Sequence, residues 1–228
     1  MRLRRLRRNI KTGEGSRQKS PAGGTNPVAF EKDMTETIRY YNRNASNFIA
    51  STQKVEFYEI QEIFLDKLSR GASILDFGCG SGRDTKYFLS RGYRVDAVDG
   101  SAEMCRLAGE YVGIAVRQML FWQLSAENSY DGIWACSSIL HLPYSELKDV
   151  FLKMSRALRE NGIVYTSFKY GTFEGERNGR YFTDMTEEKM EKLLDETAVF
   201  HTEKQWISAD VRPGREKEKW LNIILRKN

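Results

Sequence analysis

The sequence predicts an α/β fold with a doubly wound, mostly parallel seven-stranded sheet and helices on both faces. Short apolar runs alternate with helical segments along the chain, and this alternation is typical of a parallel sheet flanked by helices. The last two strand-like runs follow one another without a helix between them, which predicts an antiparallel hairpin strand at the carboxyl end. No internal repeat is present.

The elements can be predicted in order from hydrophobic periodicity. Apolar and aromatic residues recur at helical spacing over residues 35–68, which predicts two helices before the first strand. Residues 72–78 form a short apolar run that ends in glycine, as a buried parallel strand does. Further strands are predicted at 93–99, 114–120, 130–137, 162–170, 198–208 and 219–226. Further helices are predicted at 84–89, 102–111, 144–159 and 187–195.

Length and composition indicate one folded unit. The chain has 228 residues, enough for one sizeable core, and we expect a single catalytic domain over residues 34–228. Hydrophobic residues make up 40% and charged residues 29%, as in ordinary globular proteins. Because no apolar run approaches the roughly 18 residues that a transmembrane helix requires, we expect no membrane span.

The positive charge is concentrated in residues 1–33, which carry nine Lys or Arg and three acidic residues, a net charge of +6. The rest of the chain has 27 basic and 28 acidic residues and is nearly neutral. Because this tail is poor in apolar residues, we expect it to be disordered, and Met34 is a candidate for the natural start. An RNA-binding or anionic-membrane arm and a mitochondrial presequence are alternative interpretations.

Cysteine and histidine usage argues against a metal site. The chain has three cysteines (Cys79, Cys105 and Cys136) and two histidines (His141 and His201). The cysteines lack the paired spacing of zinc sites, and two histidines are too few for a histidine-rich centre. We therefore expect reduced thiols, a cytoplasmic protein and no bound metal.

A glycine-rich loop, with Gly78, Gly80 and Gly82, follows the first strand and leads into a helix. Glycines at such a place avoid a collision with a ligand, and we expect free backbone N–H groups to face that ligand. The nicotinamide-binding pattern requires glycine where this chain has Arg83, and no GK[ST] sequence of a phosphate-binding loop follows. The loop therefore favours an adenine-containing cofactor other than a nicotinamide dinucleotide.

Asp99 ends the second predicted strand, 17 residues after Gly82. A carboxylate at this place can accept hydrogen bonds from both hydroxyls of an adenosine ribose. One acid at a strand end is a weak signal, but the acid and the glycine loop together predict the binding site of an adenosine moiety.

Several segments resemble the class I S-adenosylmethionine-dependent methyltransferases. They are GCGSGRD (78–84), DGS (99–101), YDGIWACSSILH (130–141) and SFKYG (167–171). The resemblance covers residues 35–227 and looks closest to the small bacterial tellurite-resistance-like methyltransferases, to which GRYFTD (179–184) and DVRPGR (210–215) are also similar. It implies the Rossmann-like seven-stranded sheet of that class and S-adenosyl-L-methionine as cofactor.

The resemblance also implies which residues contact the cofactor. The methionine part is expected over the glycine loop, the ribose on Asp99, the adenine after the third strand, and the sulfonium above the end of the fourth strand. The implied set is Gly78, Cys79, Gly80, Gly82, Asp99, Gly100, Ser101, Met104, Met119, Leu120, Cys136 and Ser137. An acid often found near Leu120 is absent, which leaves the partner of the adenine amino group open.

Simpler structural roles are also open for three residues near this site. Met104 and Met119 lie at apolar spacing that is equally typical of core side chains. Asp76, inside the first strand, is expected to hold the glycine loop in place rather than to bind a ligand.

Ligands of such sheets enter at the carboxyl ends of the strands. We expect Lys169 and Tyr170 at this edge, together with the loop 171–184. The candidates for substrate contact at the catalytic centre are His141, Arg180 and Tyr181. A lone histidine such as His141 is alternatively a structural residue whose hydrogen bonds are satisfied.

The amino-terminal helix, with Tyr40, Tyr41 and Asn44, is expected to act as a lid over the cofactor.

Arginine and lysine near the predicted mouth indicate a small anionic or polar acceptor, because guanidinium groups bind carboxylates and oxyanions through paired hydrogen bonds. Arg212 and Arg215 are expected to fold toward this mouth. Surface ion pairs with Glu216 and Glu218 would explain these two arginines equally well.

The expected function is transfer of a methyl group from S-adenosylmethionine to a small molecule by in-line displacement, in which the protein supplies alignment and excludes water. A general base is needed only if the nucleophile is protonated. An RNA methyltransferase is one alternative. Against it, the fourth strand ends in ACSS instead of Asn/Asp-Pro-Pro-aromatic, and the neutral body argues against nucleic acid as a partner. A non-catalytic sensor of S-adenosylmethionine is the other.

Overall fold

The computed structural model describes the backbone of residues 27–228 and the side chains of residues 35–228. Its strands are β1 (Ser73–Phe77), β2 (Arg94–Asp99), β3 (Val116–Gln118), β4 (Tyr130–Ala135), β5 (Leu158–Lys169), β6 (Glu174–Arg177), β7 (Arg180–Thr183), β8 (Phe200–Ala209) and β9 (Lys219–Lys227). Its helices are α1 (Pro27–Thr52), α2 (Tyr58–Leu65), α3 (Arg83–Ser90), α4 (Ala102–Val112), α5 (Tyr144–Ala157) and α6 (Glu187–Thr197).

The main sheet has seven strands in the order β3-β2-β1-β4-β5-β9-β8. Neighbours from β3 to β5 pair in parallel, whereas β9 is antiparallel to both β5 and β8. The predicted α/β class, with a mostly parallel sheet and an antiparallel carboxyl-terminal hairpin, is therefore confirmed. The strand order changes direction between β1 and β4, which is where open α/β sheets bind ligands.

The central strands are buried on both faces because successive side chains alternate between the two sides of the sheet. On one side, Trp134 of β4 stacks on Tyr165 of β5 with ring centroids 4.0 Å apart, and Phe64 of α2 packs against it. On the other side, Ile133 belongs to a second cluster with Phe151 of α5. These two layers hold the carboxyl ends of the strands in fixed positions.

The segment predicted as a loop over 171–184 contains a second, two-stranded sheet formed by β6 and β7. Asn178 and Gly179 form its turn with φ of 54° and 75°. An Asn-Gly pair is the strongest short-range signal for a hairpin, because both residues tolerate positive φ. The sequence therefore contained the signal, and describing this segment as a loop was wrong.

The amino-terminal helix α1 begins at Pro27, so Met34 lies inside it. Residues 27–33, which we expected in the disordered tail, are helical, and proline is favoured at the first position of a helix. The predicted disorder of residues 1–26 concerns residues outside the described part of the chain. Over residues 27–228, no helix combines the length and the apolar character needed to cross a membrane.

Candidate active site

A cavity lies at the carboxyl ends of β1, β2, β4 and β5. Most residues implied as cofactor contacts line it, namely Gly78, Cys79, Gly80, Asp99, Gly100, Met104, Met119, Leu120, Cys136 and Ser137. Two residues from the same set, Gly82 and Ser101, do not line it. The cavity therefore brings together residues that are far apart in the sequence, at the edge of the sheet where we expected them.

The glycine loop approaches the cavity as bare backbone. Gly78 and Gly80 have φ of 92° and 52°, which side chains rarely tolerate. A Cβ atom on Gly78 would lie 2.5 Å from Cβ of Ser138, and one on Gly80 would lie 3.2 Å from Cε1 of Phe48. Gly78 has no room for a side chain, and a Cβ atom on Gly80 would require the ring of Phe48 to shift.

The backbone N–H groups of this loop are engaged within the protein. Gly78 and Cys79 both donate to the carbonyl oxygen of Val98 at 2.9 Å, and Gly80 donates to Oδ2 of Asp99 at 3.0 Å. The expectation of free N–H groups was wrong for Gly78 and Gly80, because the loop closes onto β2, and for Gly82, whose N–H donates to the carbonyl oxygen of Cys79 at 3.0 Å. The loop offers the cavity a close approach of main chain instead.

Asp99 ends β2 and joins two loops through its carboxylate. Oδ2 accepts from the N–H of Gly80, and Oδ1 accepts from the N–H of Ser101 at 2.8 Å. Burial raises the pKa of Asp99, and the backbone N–H groups of Ser101, Gly80 and Gly100 partly offset that rise. A carboxylate has about four acceptor positions, so Asp99 can accept further hydrogen bonds from a ligand in the cavity.

Gly82 and Ser101 support the site without lining it. A Cβ atom on Gly82 would lie 2.8 Å from Cγ1 of Val112, so this glycine lets α3 pack against α4. Ser101 caps α4, because its Oγ accepts from the N–H of Met104 at 3.2 Å. The same Oγ donates to Oδ1 of Asn42 at 2.7 Å, which ties α1 to the start of α4.

Met104 and Met119 fit both interpretations considered for them. They are 1% and 6% exposed, as core residues are, and both line the cavity. Gly100 lies beside them, where a Cβ atom would be 2.5 Å from Cδ1 of Ile38 and 3.1 Å from Cδ2 of Leu120. We refer to this part of the cavity, lined by Ile38, Met104, Met119 and Leu120, as the apolar slot.

Cys136 and Ser137 follow β4 directly. Ser137 has a φ of 51°, a strained value for a residue other than glycine, and its N–H donates to Oγ of Ser167 at 2.9 Å. Burial raises the pKa of Cys136 to about 12, which keeps it a thiol. The end of β4 is thereby held in one unusual conformation at the cavity.

Arg83 lines the cavity, although the sequence did not single it out as a contact. Its Nε and Nη2 donate to the two carboxylate oxygens of Asp84 at 2.7 and 2.9 Å, and its Cζ lies 4.3 Å from the centroid of the Phe57 ring. Its place directly after the glycine loop was the available signal.

Asp76 has the structural position expected for it. It is 1% exposed and its Oδ2 accepts from the hydroxyl of Thr85 at 2.5 Å. Burial, followed by the nearby charge of Asp84, raises its pKa to about 8. Asp76 does not line the cavity.

His141 lines the cavity and also has both ring nitrogens satisfied. Its Nδ1 lies 2.6 Å from the carbonyl oxygen of Tyr181, and its Nε2 lies 2.8 Å from the hydroxyl of Tyr41. A carbonyl oxygen can only accept, so Nδ1 carries the hydrogen, and Nε2 of the neutral ring accepts from Tyr41. Burial lowers the pKa of His141 to about 4, in agreement with a neutral ring.

Arg180 reaches the cavity, whereas the side chain of Tyr181 does not. The hydroxyl of Tyr181 donates to Glu174 at 3.2 Å, and its N–H donates to Oγ1 of Thr37 at 3.0 Å. Alternation along β7 explains the difference, because neighbouring side chains of a strand point to opposite faces. Expecting the Tyr181 side chain at the substrate was wrong; this residue contributes its carbonyl to His141.

The amino-terminal helix α1 covers one side of the cavity. Its lining residues are Thr37, Ile38, Tyr41, Phe48 and Thr52. Tyr40 and Asn44, also expected in the lid, do not line the cavity: the amide of Asn44 donates to the carbonyl of Tyr40 at 2.8 Å.

The basic residues at the mouth are mostly paired with acids. Arg212 donates to both oxygens of Asp210, at 2.8 and 2.5 Å, and Arg215 donates to Glu218 at 2.6 Å. Lys169 also pairs with Glu218. Arg212 and Arg215 thus line the cavity, as expected, and both are also ion-paired, Arg215 with Glu218 and Arg212 with Asp210, an acid that was not expected.

Tyr170, which we expected at this edge of the sheet, does not line the cavity.

Within residues 35–228, no group of three or more His, Cys, Asp or Glu side chains could hold a metal ion.

Comparison with known proteins agrees with this architecture. Residues 74–162 match a family model described as a methyltransferase domain. A curated relative, the malonyl-[acyl-carrier protein] O-methyltransferase of Salmonella typhimurium, is 27% identical over 140 residues, which are 59% of this chain and 54% of the relative. The chain thus spans about half the length of that relative.

Solved structures show the same fold. A Burkholderia thailandensis 1,6-didemethyltoxoflavin-N1-methyltransferase with bound 1,6-didemethyltoxoflavin and S-adenosylhomocysteine has a TM-score of 0.71 at 22% identity, covering 92% of this chain and 93% of that one. A Methanosarcina mazei S-adenosylmethionine-dependent methyltransferase has a TM-score of 0.65 at 19% identity, covering 76% and 99%. The fold of this chain is therefore the one seen in class I methyltransferase structures.

Proposed function

From a chain with a methyltransferase domain and the class I fold, we propose an enzyme that transfers a methyl group from S-adenosylmethionine to a small, polar or anionic acceptor by in-line displacement. The cofactor, when bound, supplies a methyl group that its sulfonium already activates. The chain then has to bind the donor, align the acceptor and exclude water. Motifs such as GRYFTD favour the tellurite-resistance-like subgroup.

The observation that carries this proposal is the arrangement of Asp99. Its carboxylate is fixed by the N–H groups of Gly80 and Ser101 and still has acceptor capacity toward the cavity. Two ribose hydroxyls are the donors that suit it. Bare backbone at Gly78 and the apolar slot beside Gly100 fit the methionine and adenine parts on either side.

The end of β4 is the proposed floor under the sulfonium. Cys136 stays an uncharged thiol, and the strained turn at Ser137 brings main chain to the cavity. Phe48 and Phe121 line the same cavity, and we propose that their apolar rings keep water away from the sulfonium. No residue in this region has to react covalently.

The acceptor is proposed to enter between α1 and β7, near His141 and Arg180. Because His141 is neutral and weakly basic, we assign it to positioning rather than to proton abstraction. Cys79, Cys105 and Cys136 are free, and we propose a cytoplasmic location on that ground.

Calorimetry with S-adenosylhomocysteine tests the donor site. Asp99→Ala is expected to weaken binding by about tenfold or more, because hydrogen bonds to a charged group are lost. Asp96→Ala is the matched control, since Asp96 lies on the same strand, is exposed and does not line the cavity. Equal affinity of the wild type and Asp99→Ala would contradict the ribose assignment.

Turnover separates an enzyme from a sensor. Methyl-labelled S-adenosylmethionine incubated with the protein and a small-molecule extract is expected to transfer label to a small molecule. Tight cofactor binding without any transfer, across extracts from several sources, would support the sensor instead.

A further inference from the structure

Arg180 differs from the other cations of the cavity wall. Over the described residues, the others each pair with an acid: Arg83, Lys169, Arg212 and Arg215. Arg180 forms no ion pair with a carboxylate of residues 35–228, and its Nε is buried without a hydrogen-bond partner. A buried donor without a partner is rare and costly in a folded protein. Lys169 and Arg215 share Glu218, so Arg180 is the cation of the described wall that faces no acid at all.

Aromatic rings hold this guanidinium in place without neutralising it. Its Cζ lies 4.4 Å from the ring centroid of Tyr40, 5.1 Å from that of Phe182 and 5.8 Å from that of Tyr41. Ring faces attract a cation and fix its plane, but they provide no acceptor for its N–H groups. Arg180 thus retains donors for a ligand in the cavity.

Tyr41 supplies a hydrogen-bond acceptor next to these donors. The O–H of Tyr41 donates to Nε2 of His141, so the oxygen can only accept hydrogen bonds from other groups. Nη1 of Arg180 reaches that oxygen at 3.5 Å, the limit of a hydrogen bond. The wall therefore combines a fixed cation with a fixed acceptor a few ångströms away.

On the basis of the function proposed above, we propose that the acceptor is an acid: it carries an oxyanion, such as a carboxylate, that pairs with Arg180, and in the same molecule an N–H or O–H that donates to Tyr41. Guanidinium groups bind carboxylates through two parallel hydrogen bonds, which would give the orphan donor of Arg180 its partner. His141 is a positioning residue here, because it acts through Tyr41.

Binding of paired probes tests the anion. Benzoate and its neutral isostere benzamide are titrated into the full chain saturated with S-adenosylhomocysteine and into the chain alone. The wild type is expected to prefer benzoate by roughly tenfold to a hundredfold, and Arg180→Gln is expected to abolish that preference. Arg215→Gln, the same charge change at an arginine that already has a partner, is expected to keep it.

Tyr41→Phe tests the second half of the site with 3-hydroxybenzoate. The wild type is expected to bind 3-hydroxybenzoate about threefold to tenfold more tightly than benzoate. The Tyr41→Phe variant is expected to bind the two compounds with equal affinity and to bind benzoate as tightly as the wild type does. Tyr41→Phe that keeps the preference would overturn the role of Tyr41.

The anion assignment is overturned by equal binding of benzoate and benzamide to the wild type, by undetectable benzoate binding at millimolar concentration, or by a preference that survives in Arg180→Gln. The arm without S-adenosylhomocysteine makes this result independent of the donor site. A result that refutes only the methyltransferase proposal would look different: the chain would not bind S-adenosylhomocysteine but would still prefer benzoate to benzamide.

Discussion

The hydroxyl of Tyr41 donates to Nε2 of His141 across 2.8 Å, and this contact joins helix α1 to the segment after β4. The other ring nitrogen donates to the carbonyl of Tyr181 in β7. One neutral imidazole therefore links three parts of the chain, and protonation of this ring would turn its acceptor nitrogen into a second donor facing Tyr41.

The first prediction concerns acid stability. Unfolded histidine titrates near 6.5 but His141 in the fold near 4, so the unfolded state binds more protons between these values and stability falls as the pH decreases through them. We expect this residue to account for roughly 2 kcal/mol of unfolding free energy lost between about pH 7 and about pH 5. Denaturant unfolding of the wild type and His141→Gln measures it, and an unchanged pH slope in the variant would contradict the buried neutral ring.

The second prediction concerns Asp76, which should make stability depend on pH in the opposite direction from His141. Its pKa is about 8 in the fold against 3.8 ordinarily, so the folded state binds more protons in this window and stability falls as the pH rises through it. Asp76→Asn imitates the protonated acid and keeps an acceptor for Thr85. We expect it to remove this loss, most clearly between about pH 7 and pH 8, where the contribution of His141 is nearly constant. Parallel stability curves for the two proteins would disprove it.

The packing of Gly100 predicts a destabilising substitution with a specific rescue. Gly100→Ala places a Cβ atom 2.5 Å from Cδ1 of Ile38, and we expect a loss of about 1–3 kcal/mol in unfolding free energy. Ile38→Val deletes that Cδ1 atom. The double variant should therefore lose much less unfolding free energy than the two single variants lose together. If the losses simply add, the two residues do not collide.

The last prediction concerns Arg180, which we expect to contribute nothing to the stability of the fold. Arg180→Met removes a buried donor without a partner and keeps an apolar chain between Tyr40 and Phe182, so we expect unchanged or increased stability. Arg212→Met is the comparison, because it leaves buried Asp210 without its cation and should cost about 3 kcal/mol. Thermal melts of both proteins decide, and a similar loss in each would make Arg180 a structural residue.

The sheet could be predicted from the sequence because burial of parallel strands leaves a local pattern. Ser73–Phe77 and Tyr130–Ala135 are short apolar runs with clear ends, and both were found. The hairpin at Asn178 and Gly179 was missed because its short, partly polar strands have no such pattern, and only the turn identified it. The helical start at Pro27 was missed because the sequence upstream of Met34 was judged by its composition.

The cavity could be predicted where the ends of the strands form it. It could not be predicted where helix α1 and the β6–β7 hairpin meet. Gly78 to Gly80 and Asp99 lie at strand ends, and topology alone brings strand ends together. The rings around Arg180 come from Tyr40 in α1 and from Phe182 in β7, and no local pattern records that α1 packs there. Likewise, the N–H groups of the glycine loop were used by β2, a tertiary contact without a signature in the loop itself.

The cavity wall is divided along the chain. The residues proposed for the donor lie between Gly78 and Ser137, inside the stretch that matches the methyltransferase domain, whereas Tyr41 and Arg180 come from segments on either side of it. Under these assignments, choice of acceptor is an exchangeable property. A chimera that keeps 74–162 and receives α1 and the β6–β7 hairpin from a relative should inherit that relative's acceptor along with them, so that new methylation specificities can arise while the donor machinery is left untouched.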